Sequence, residues 1–296
     1  MRICVIFNPK AKGEKANRFR EHLNALSGSC TLKPTPAAGA GRWLAEEAVR
    51  EGYDTIVAAG GDGTVNEVLN GIGDHPEGFA RARLAVWPAG TVNVFAREIG
   101  MPLDLALAWK AILRGRETLI DLPQMDFEKG GQPQRRYFIQ MAGAGWDARA
   151  VELVSWELKK KIGQFAYMVA GLKALRGPPS KLIATDRSKT FEGELVIIGN
   201  GRFYGGQIPV FSQANLQDGL LDVCVFPKIG WSVLTRYLWC FVTQRRFTLR
   251  REKYFQTPSF KIESVHRTPF ELDGENAGHL PALCSIRKQA LRVIVP

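Results

Sequence analysis

The sequence predicts two domains, an α/β domain built on a parallel sheet followed by a β-rich domain of sandwich type. Two patterns and one number carry this. Residues 1–122 alternate short apolar, β-branched runs with segments whose apolar residues recur at helical spacing, and repeated β-α units imply a parallel sheet covered by helices. From residue 123 to 296, strand-like pieces separated by turn signals dominate, the pattern of an antiparallel sandwich. The length, 296 residues, is about twice the roughly 150 residues of a common domain.

In the first domain, Ile3–Phe7 reads as a strand. Ala16, Phe19, Leu23 and Leu26 share one helical face, and a weaker strand follows around Thr31–Lys33. Leu44, Ala45, Ala48 and Val49 give a second helical stripe that Gly52 stops. Thr55–Ala59 is a buried strand running into Gly60-Gly61-Asp62-Gly63-Thr64. Val65, Val68, Leu69 and Ile72 then continue at helical spacing. Leu84–Trp87 is the next strand, ended by Pro88-Ala89-Gly90-Thr91. Leu105, Trp109, Ile112 and Leu113 mark a helix closed by Gly115.

In the second domain, strands are expected at Tyr137–Met141, Lys181–Thr185, Glu194–Ile198, Leu221–Phe226, Ser259–Glu263 and Leu291–Val295. The last of these is expected to return to the first domain. Helices are expected at about Ala148–Lys161, Gln164–Leu175 and Trp231–Thr243.

Composition excludes several classes. Apolar residues make 45% and charged residues 23%, which rules out a disordered or collagenous chain. No apolar run approaches the roughly 18 residues of a membrane span, and Asn8-Pro9 cuts the first apolar run too early for a signal peptide. Five scattered cysteines and four scattered histidines show no metal spacing and read as reduced thiols of a cytoplasmic protein. The net charge of +11 is uneven: residues 1–122 carry 15 basic and 14 acidic side chains, residues 123–296 carry 25 and 15. A basic second part suits an anionic partner such as a membrane surface or a phosphate-bearing ligand. Nucleic acid is the weakest of these, because no aromatic RNA-binding strand motif is present.

The sharpest chemical signal is Gly60-Gly61-Asp62-Gly63-Thr64 between a strand and a helix. Glycines let the backbone turn and approach a ligand, and the N-terminus of the helix favours phosphate. A carboxylate at Asp62 repels phosphate unless a cation lies between them, which points to magnesium. No Gly-Lys-Ser/Thr follows, and Asn66 stands where G-x-G-x-x-G needs its third glycine, so neither a P-loop nor a plain dinucleotide fingerprint is present.

This unit resembles the diacylglycerol kinase catalytic domain, a family that includes bacterial lipid kinases and sphingosine kinases and is distantly related to NAD kinases. Four further segments carry the likeness in the family's order: Asn8-Pro9-Lys10-Ala11-Lys12-Gly13, Pro88-Ala89-Gly90-Thr91-Val92-Asn93, Asp218-Gly219-Leu220-Leu221-Asp222 and Asp273-Gly274-Glu275. The resemblance implies a Rossmann-like three-layer first domain, a β-sandwich second domain, and ATP in the cleft between them. It implies that Gly60, Gly61, Asp62, Gly63, Thr64 and Asn66 hold the ATP phosphates, that Asn8, Thr35 and Thr91 line the nucleotide site, and that Asp273 is the general base. It implies magnesium beside ATP and a second magnesium held by Asn215, Asp218 and Leu220. Asn93-Val94 replaces the Asn-Asp of many lipid kinases, so one carboxylate of their magnesium network is absent.

The expected activity is therefore ATP-dependent phosphorylation of diacylglycerol or a related lipid by an enzyme that docks reversibly on anionic membranes. A kinase of soluble NAD and a non-catalytic nucleotide- or lipid-binding regulator are the alternatives. The oligomeric state, monomer or homodimer, is open.

Overall fold

A computed structural model describes residues 1–9, 19, 21–23, 30–153, 170–171, 173–174, 177, 179–187, 189–243, 245, 247 and 252–296, with the side chains of 241 and 242 excepted. The chain divides into two compact units, Met1–Leu122 with Lys288–Pro296, and Pro123–Arg287.

The first unit is an α/β layer structure. Strands β1 (Ile3–Phe7), β2 (Thr31–Pro34), β3 (Thr55–Gly60) and β4 (Arg83–Pro88) run parallel in the order β2-β1-β3-β4. Helices α1 (Ala40–Arg50), α2 (Asp62–Asp74), α3 (Gly78–Arg81), α4 (Val94–Glu98) and α5 (Leu105–Arg114) connect and cover them. Strands β1 and β3 are buried along almost their whole length, which is why both read as unbroken apolar runs rather than alternating ones. Strand β5 (Glu117–Lys129) begins in this unit, and the last strand, β18 (Ala282–Ile294), ends in it with Val293 opposite Leu84 of β4.

Helices α1 and α2 pack closely because Gly71 lacks a side chain: a Cβ there would lie 1.9 Å from the Arg42 carbonyl oxygen. The same crossing is closed by Arg42, whose Nη2 donates to Asp74 Oδ1 at 2.7 Å and whose Nε donates to Oδ2 at 2.5 Å. Helix α5 starts at Asp104, which accepts from the Leu107 N–H at 2.9 Å, and ends at Gly115 with φ 67°, a standard left-handed stop.

The second unit is a sandwich. Strands β14 (Lys253–Thr257), β13 (Leu221–Phe226), β10 (Leu195–Gly199), β7 (Met141–Gly145), β16 (Pro269–Leu272) and β17 (Glu275–His279) form, in that order, an antiparallel sheet of six among the described residues. Strands β9 (Lys189–Gly193), β8 (Leu182–Asp186) and β15 (Ser259–Ser264) form a second antiparallel layer with the first part of β18. Strand β6 (Gln132–Tyr137) pairs with β5, and β11 (Phe203–Tyr204) with β12 (Ile208–Pro209). The unit also contains helices α6 (Trp146–Leu153) and α7 (Trp231–Thr243).

Both faces of the six-stranded sheet are covered. Val196 and Ile198 enter the core shared with Phe260 and Ile262 of the second layer. Leu195 and Ile197 point the other way, into a cluster with Phe226, Tyr237 and Cys240, the last two from α7. The four cysteines Cys4, Cys224, Cys240 and Cys284 are buried and unbridged, and burial pushes the Cys4 thiol up to about 12. No helix among the described residues is long and apolar enough to cross a membrane.

Several expectations shift. Tyr137–Met141 is not one strand: β6 ends at Tyr137 and β7 begins at Met141. The N–H groups of Ile139, Gln140 and Met141 turn to a carboxylate instead of a neighbouring strand. Helix α6 starts at Trp146, two residues before the expected Ala148. Its expected continuation to Lys161 and most of the Gln164–Leu175 helix lie outside the described residues, as does most of the Ala16–Leu26 helix, of which Phe19 and Leu23 are seen buried. Residues 282–290 continue the final strand well before the expected Leu291.

Gly71→Ala is expected to lower stability by about 1–3 kcal/mol through overpacking of the α1–α2 crossing. A thermal melt checks this, and an unchanged Tm would show that the helices separate without cost.

Candidate functional site

In the first unit, parallel pairing decides where the loops emerge. Because β2, β1, β3 and β4 are parallel neighbours, their C-terminal ends lie along one edge. Register sets Phe7 beside both Pro34 and Ala59, and Gly60 beside Pro88. Asn8, Thr35, the Gly60–Thr64 loop and the Gly90-Thr91 loop therefore share that edge, where parallel α/β sheets bind ligands. Asn8 and Thr91 are exposed. Thr35 is buried, and its N–H donates to the Phe7 carbonyl at 2.8 Å.

The two glycine loops touch backbone to backbone. The Gly90 N–H donates to the Gly60 carbonyl at 3.0 Å. A Cβ on Gly90 would lie 2.4 Å from Gly61 Cα, and one on Gly60 would lie 2.4 Å from Thr64 Oγ1. Glycine is thus required at Gly60 and Gly90 by close approach. Asn93 fixes the second loop: it is buried with φ 55°, its Oδ1 accepts from Gly90 N–H at 3.1 Å and its Nδ2 donates to Gly90 O at 2.8 Å. Asp62 bridges the loops, its Oδ1 accepting from the Phe95 N–H at 3.3 Å in the first turn of α4.

Helix α2 begins at Asp62 with Gly61 at its N-cap and no side-chain cap. Its first turn therefore offers main-chain N–H groups and the positive end of the helix dipole to an anion. Gly61, Asp62, Gly63 and Thr64 are all partly exposed. Asn66 differs from its expected neighbours in the cradle: it is fully buried, and its oxygens accept from Asn70 Nδ2 at 2.9 and 3.2 Å. It braces the start of α2 from inside. Val94, where many lipid kinases have Asp, is buried in α4.

In the second unit, Asp273-Gly274 is the turn joining β16 to β17. Both residues have positive φ, 50° and 85°, as a two-residue type I′ hairpin requires. The Asp273 side chain is almost fully buried and accepts three main-chain N–H bonds, from Ile139 at 2.9 Å, Gln140 at 3.0 Å and Met141 at 3.1 Å. Its position is thereby fixed to the strand break before β7.

Beside it lies a cluster the sequence reading did not find. Tyr204 donates to Asp147 in a short hydrogen bond, and its hydroxyl lies 3.3 Å from Glu271 Oε1. Glu271 Oε2 accepts from the Gly274 N–H at 2.6 Å. Gly143 makes the room: a Cβ there would lie within 2.6 Å of both Asp147 Oδ2 and the Tyr204 hydroxyl. Burial first, then the Asp147 charge, pushes Glu271 well above the ordinary carboxylate range. Burial also raises Asp147, against the hydrogen bonds from Tyr204 and Glu271. Two carboxyl groups buried together resist ionising at the same time. The only sequence trace was an acidic residue at an inward position of the short strand Pro269–Leu272.

Asn215, Asp218 and Leu220 sit in one turn before β13. Asn215 Oδ1 accepts from Gln217 N–H at 3.1 Å, Asp218 Oδ1 accepts from Leu220 N–H at 2.9 Å, and Gly219 has φ 80°. Within this turn the Asn215 carbonyl also accepts from the Asp218 N–H at 3.5 Å, and carboxylate and carbonyl oxygens are the donor class a magnesium or calcium ion takes. No group of three His, Cys, Asp or Glu side chains suited to a metal converges among the described residues.

The Glu271 proton predicts a pH effect. Its folded pKa is raised above the ordinary 4.5, so above that pH the folded protein binds more protons than the unfolded chain and stability falls as pH rises. Glu271→Gln is expected to flatten the fall of Tm as pH rises above 4.5; an unchanged slope would assign the effect to another group.

Comparison with known proteins gives the family and the fold. Residues 2–125 match the model of the diacylglycerol kinase catalytic domain, and residues 140–295 match the YegS C-terminal NAD kinase beta sandwich-like domain. A diacylglycerol kinase of Staphylococcus carnosus (strain TM300) is 28% identical over 100% of this chain and 95% of its own length. One of Bacillus subtilis (strain 168) is 28% identical over 100% and 96%. The crystal structure of a diacylglycerol kinase from Bacillus anthracis str. Sterne has the same fold, with a TM-score of 0.72 at 23% identity over 100% of this chain and 97% of that one. The two matched domains together cover nearly the whole chain, and the chain belongs to the diacylglycerol kinase catalytic-domain family of lipid kinases.

Proposed function

We propose that the protein transfers the γ-phosphate of ATP to a hydroxyl of diacylglycerol or a related lipid. The observation that carries the reading is the paired glycine loops at the C-terminal edge of the parallel sheet. The α2 N-terminus, Thr64 and the backbone of the Gly60–Thr64 and Gly90-Thr91 loops are assigned to the phosphate oxygens. In phosphoryl transfer, positioning and charge neutralisation supply most of the catalysis. Asn8, Thr35 and Thr91 are assigned to the rest of the nucleotide, and Asn66 to bracing α2.

Asp273 is assigned as proton acceptor. The acceptor hydroxyl loses its proton to this carboxylate as its oxygen bonds to the γ-phosphorus and the bond to ADP breaks. A carboxylate offers about four lone-pair sites, so this role is compatible with its three backbone bonds. Those bonds also hold it in place. Magnesium fits the residues present at Asp62 and, separately, at Asn215, Asp218 and Leu220; when bound beside ATP it would neutralise phosphate charge. Because the acceptor lies in a bilayer, we also assign reversible association with an anionic membrane surface, consistent with the +10 of residues 123–296.

The NAD-kinase likeness of the second domain motivates one competing reading, a soluble nucleotide acceptor. Radiolabelled ATP offered with extracted lipids and with NAD separates the two: labelled lipid supports the proposal, and labelled NADP replaces it. Asp62→Ala is expected to abolish turnover in a protein that stays folded, and normal activity would remove Asp62 from the phosphate site. Asp273→Asn is expected to lower kcat by roughly 10²–10⁴-fold while ATP still binds. Normal turnover in that variant would exclude Asp273 as base.

A further inference from the structure

Helix α7 has an exposed face that the phosphate chemistry does not use. Trp231, Ser232, Thr235, Leu238 and Trp239 are its exposed positions between 231 and 240, with Trp231 at 70% and Trp239 at 61%. Spacings of four and seven or eight residues place Trp231, Thr235, Leu238 and Trp239 on one side. The opposite side is committed to the sheet, through Val233, Tyr237 and Cys240.

That exposed side is uncharged by construction. Arg236, the one charged residue of Trp231–Thr243, is turned away: it pairs with the buried Glu252 and lies 4.5 Å over the Phe247 ring. Two hydroxyls of α7 are bonded to the helix itself. Thr235 Oγ1 donates to the Trp231 carbonyl at 2.9 Å, and Thr243 Oγ1 to the Trp239 carbonyl at 2.7 Å. A hydroxyl satisfied by its own helix carries little penalty in an apolar surrounding.

The flanks carry the complementary charge. From Val223 to Arg251 the chain has Lys228, Arg236, Arg245, Arg246, Arg250 and Arg251 and no Asp or Glu. Lys228 before the helix and Arg245 after it are both exposed. Exposed tryptophans on an apolar helix face between basic residues match a membrane interface, where indole rings sit at the headgroup level and cations meet anionic lipid.

We propose that α7 lies in the surface of an anionic lipid bilayer, with Trp231, Leu238 and Trp239 entering the headgroup–acyl boundary and Lys228 and Arg245 contacting the headgroups. This rests on the lipid-kinase reading for its purpose and goes beyond it in naming the surface. It also differs from docking by charge alone, since an inserted apolar face retains part of its binding at high salt.

The test uses the whole protein and vesicles of phosphatidylcholine with and without phosphatidylglycerol. The wild type is expected to sediment with the anionic vesicles. Its tryptophan fluorescence should be quenched by brominated acyl chains. Trp231→Ser with Trp239→Ser should weaken vesicle partitioning at least about tenfold, with the Tm unchanged and turnover of a monomeric short-chain diacylglycerol unchanged. Trp231→Phe with Trp239→Phe should keep most of the partitioning but lose the quenching. Undiminished partitioning of the serine variant, or no bromolipid quenching in the wild type, would overturn the proposal. So would a wild-type dimer in solution that the serine variant dissolves, because the face would then belong to a second copy. Vesicle binding is read without any phosphate transfer, so a protein that binds through α7 yet labels no lipid would refute the kinase reading alone.

Discussion

The closeness of two backbones governs the candidate phosphate site. Gly60 and Gly61 leave β3 while Gly90 leaves β4, and the strands are hydrogen-bonded neighbours, so their loops meet with no side chain between them. The Gly90 N–H to Gly60 carbonyl bond at 3.0 Å extends the sheet one step into the loops. Everything else there follows from holding that contact. Asn93 takes a left-handed conformation to close the second loop, and Asp62 reaches from the start of α2 to the start of α4. A Cβ on Gly90 would displace Gly61, and with it the first turn of α2. Glycine at these positions is therefore a packing requirement.

A second constraint of the same kind orders the other unit. Asp273 is held by three consecutive main-chain N–H groups, those of Ile139, Gln140 and Met141. Those groups are available only because the chain leaves one strand at Tyr137 and enters the next at Met141. The type I′ turn sets the direction of the carboxylate, and Glu271 holds the Gly274 N–H on the other side of the turn. A hairpin turn and a positioned carboxylate are often rival explanations for an Asp-Gly pair. In this protein the same geometry provides both.

Strands buried on both faces were the most legible part of the sequence. Ile3–Phe7 and Leu221–Phe226 form strands with those bounds, because short, largely apolar runs containing β-branched residues suit a strand buried on both faces. Trp231–Thr243 is a helix with the bounds its spacing gives. Polar strands were missed. Gln132–Tyr137 is mostly exposed and Lys189–Gly193 is an edge, so neither carries an apolar signal, and their pairing is set by partners elsewhere. The Asp147–Tyr204–Glu271 cluster left only the acidic residue in Pro269–Leu272 as a trace: its hydrogen bonds join residues 57 and 67 apart, and only the folded sheet brings them to Gly143. At the phosphate edge, the glycine loop was plain from its composition. The inward role of Asn66 was not, because a helix presents an asparagine to ligand or core according to packing rather than identity.

Hydrogen–deuterium exchange with and without ATP tests most directly whether that edge is the phosphate site. The account predicts ATP-dependent protection strongest in peptides covering Gly60–Val68 and Pro88–Phe95, with the outer strands of the second unit unaffected. ATP binding that leaves both segments exchanging as before, while protecting amides elsewhere, would contradict it.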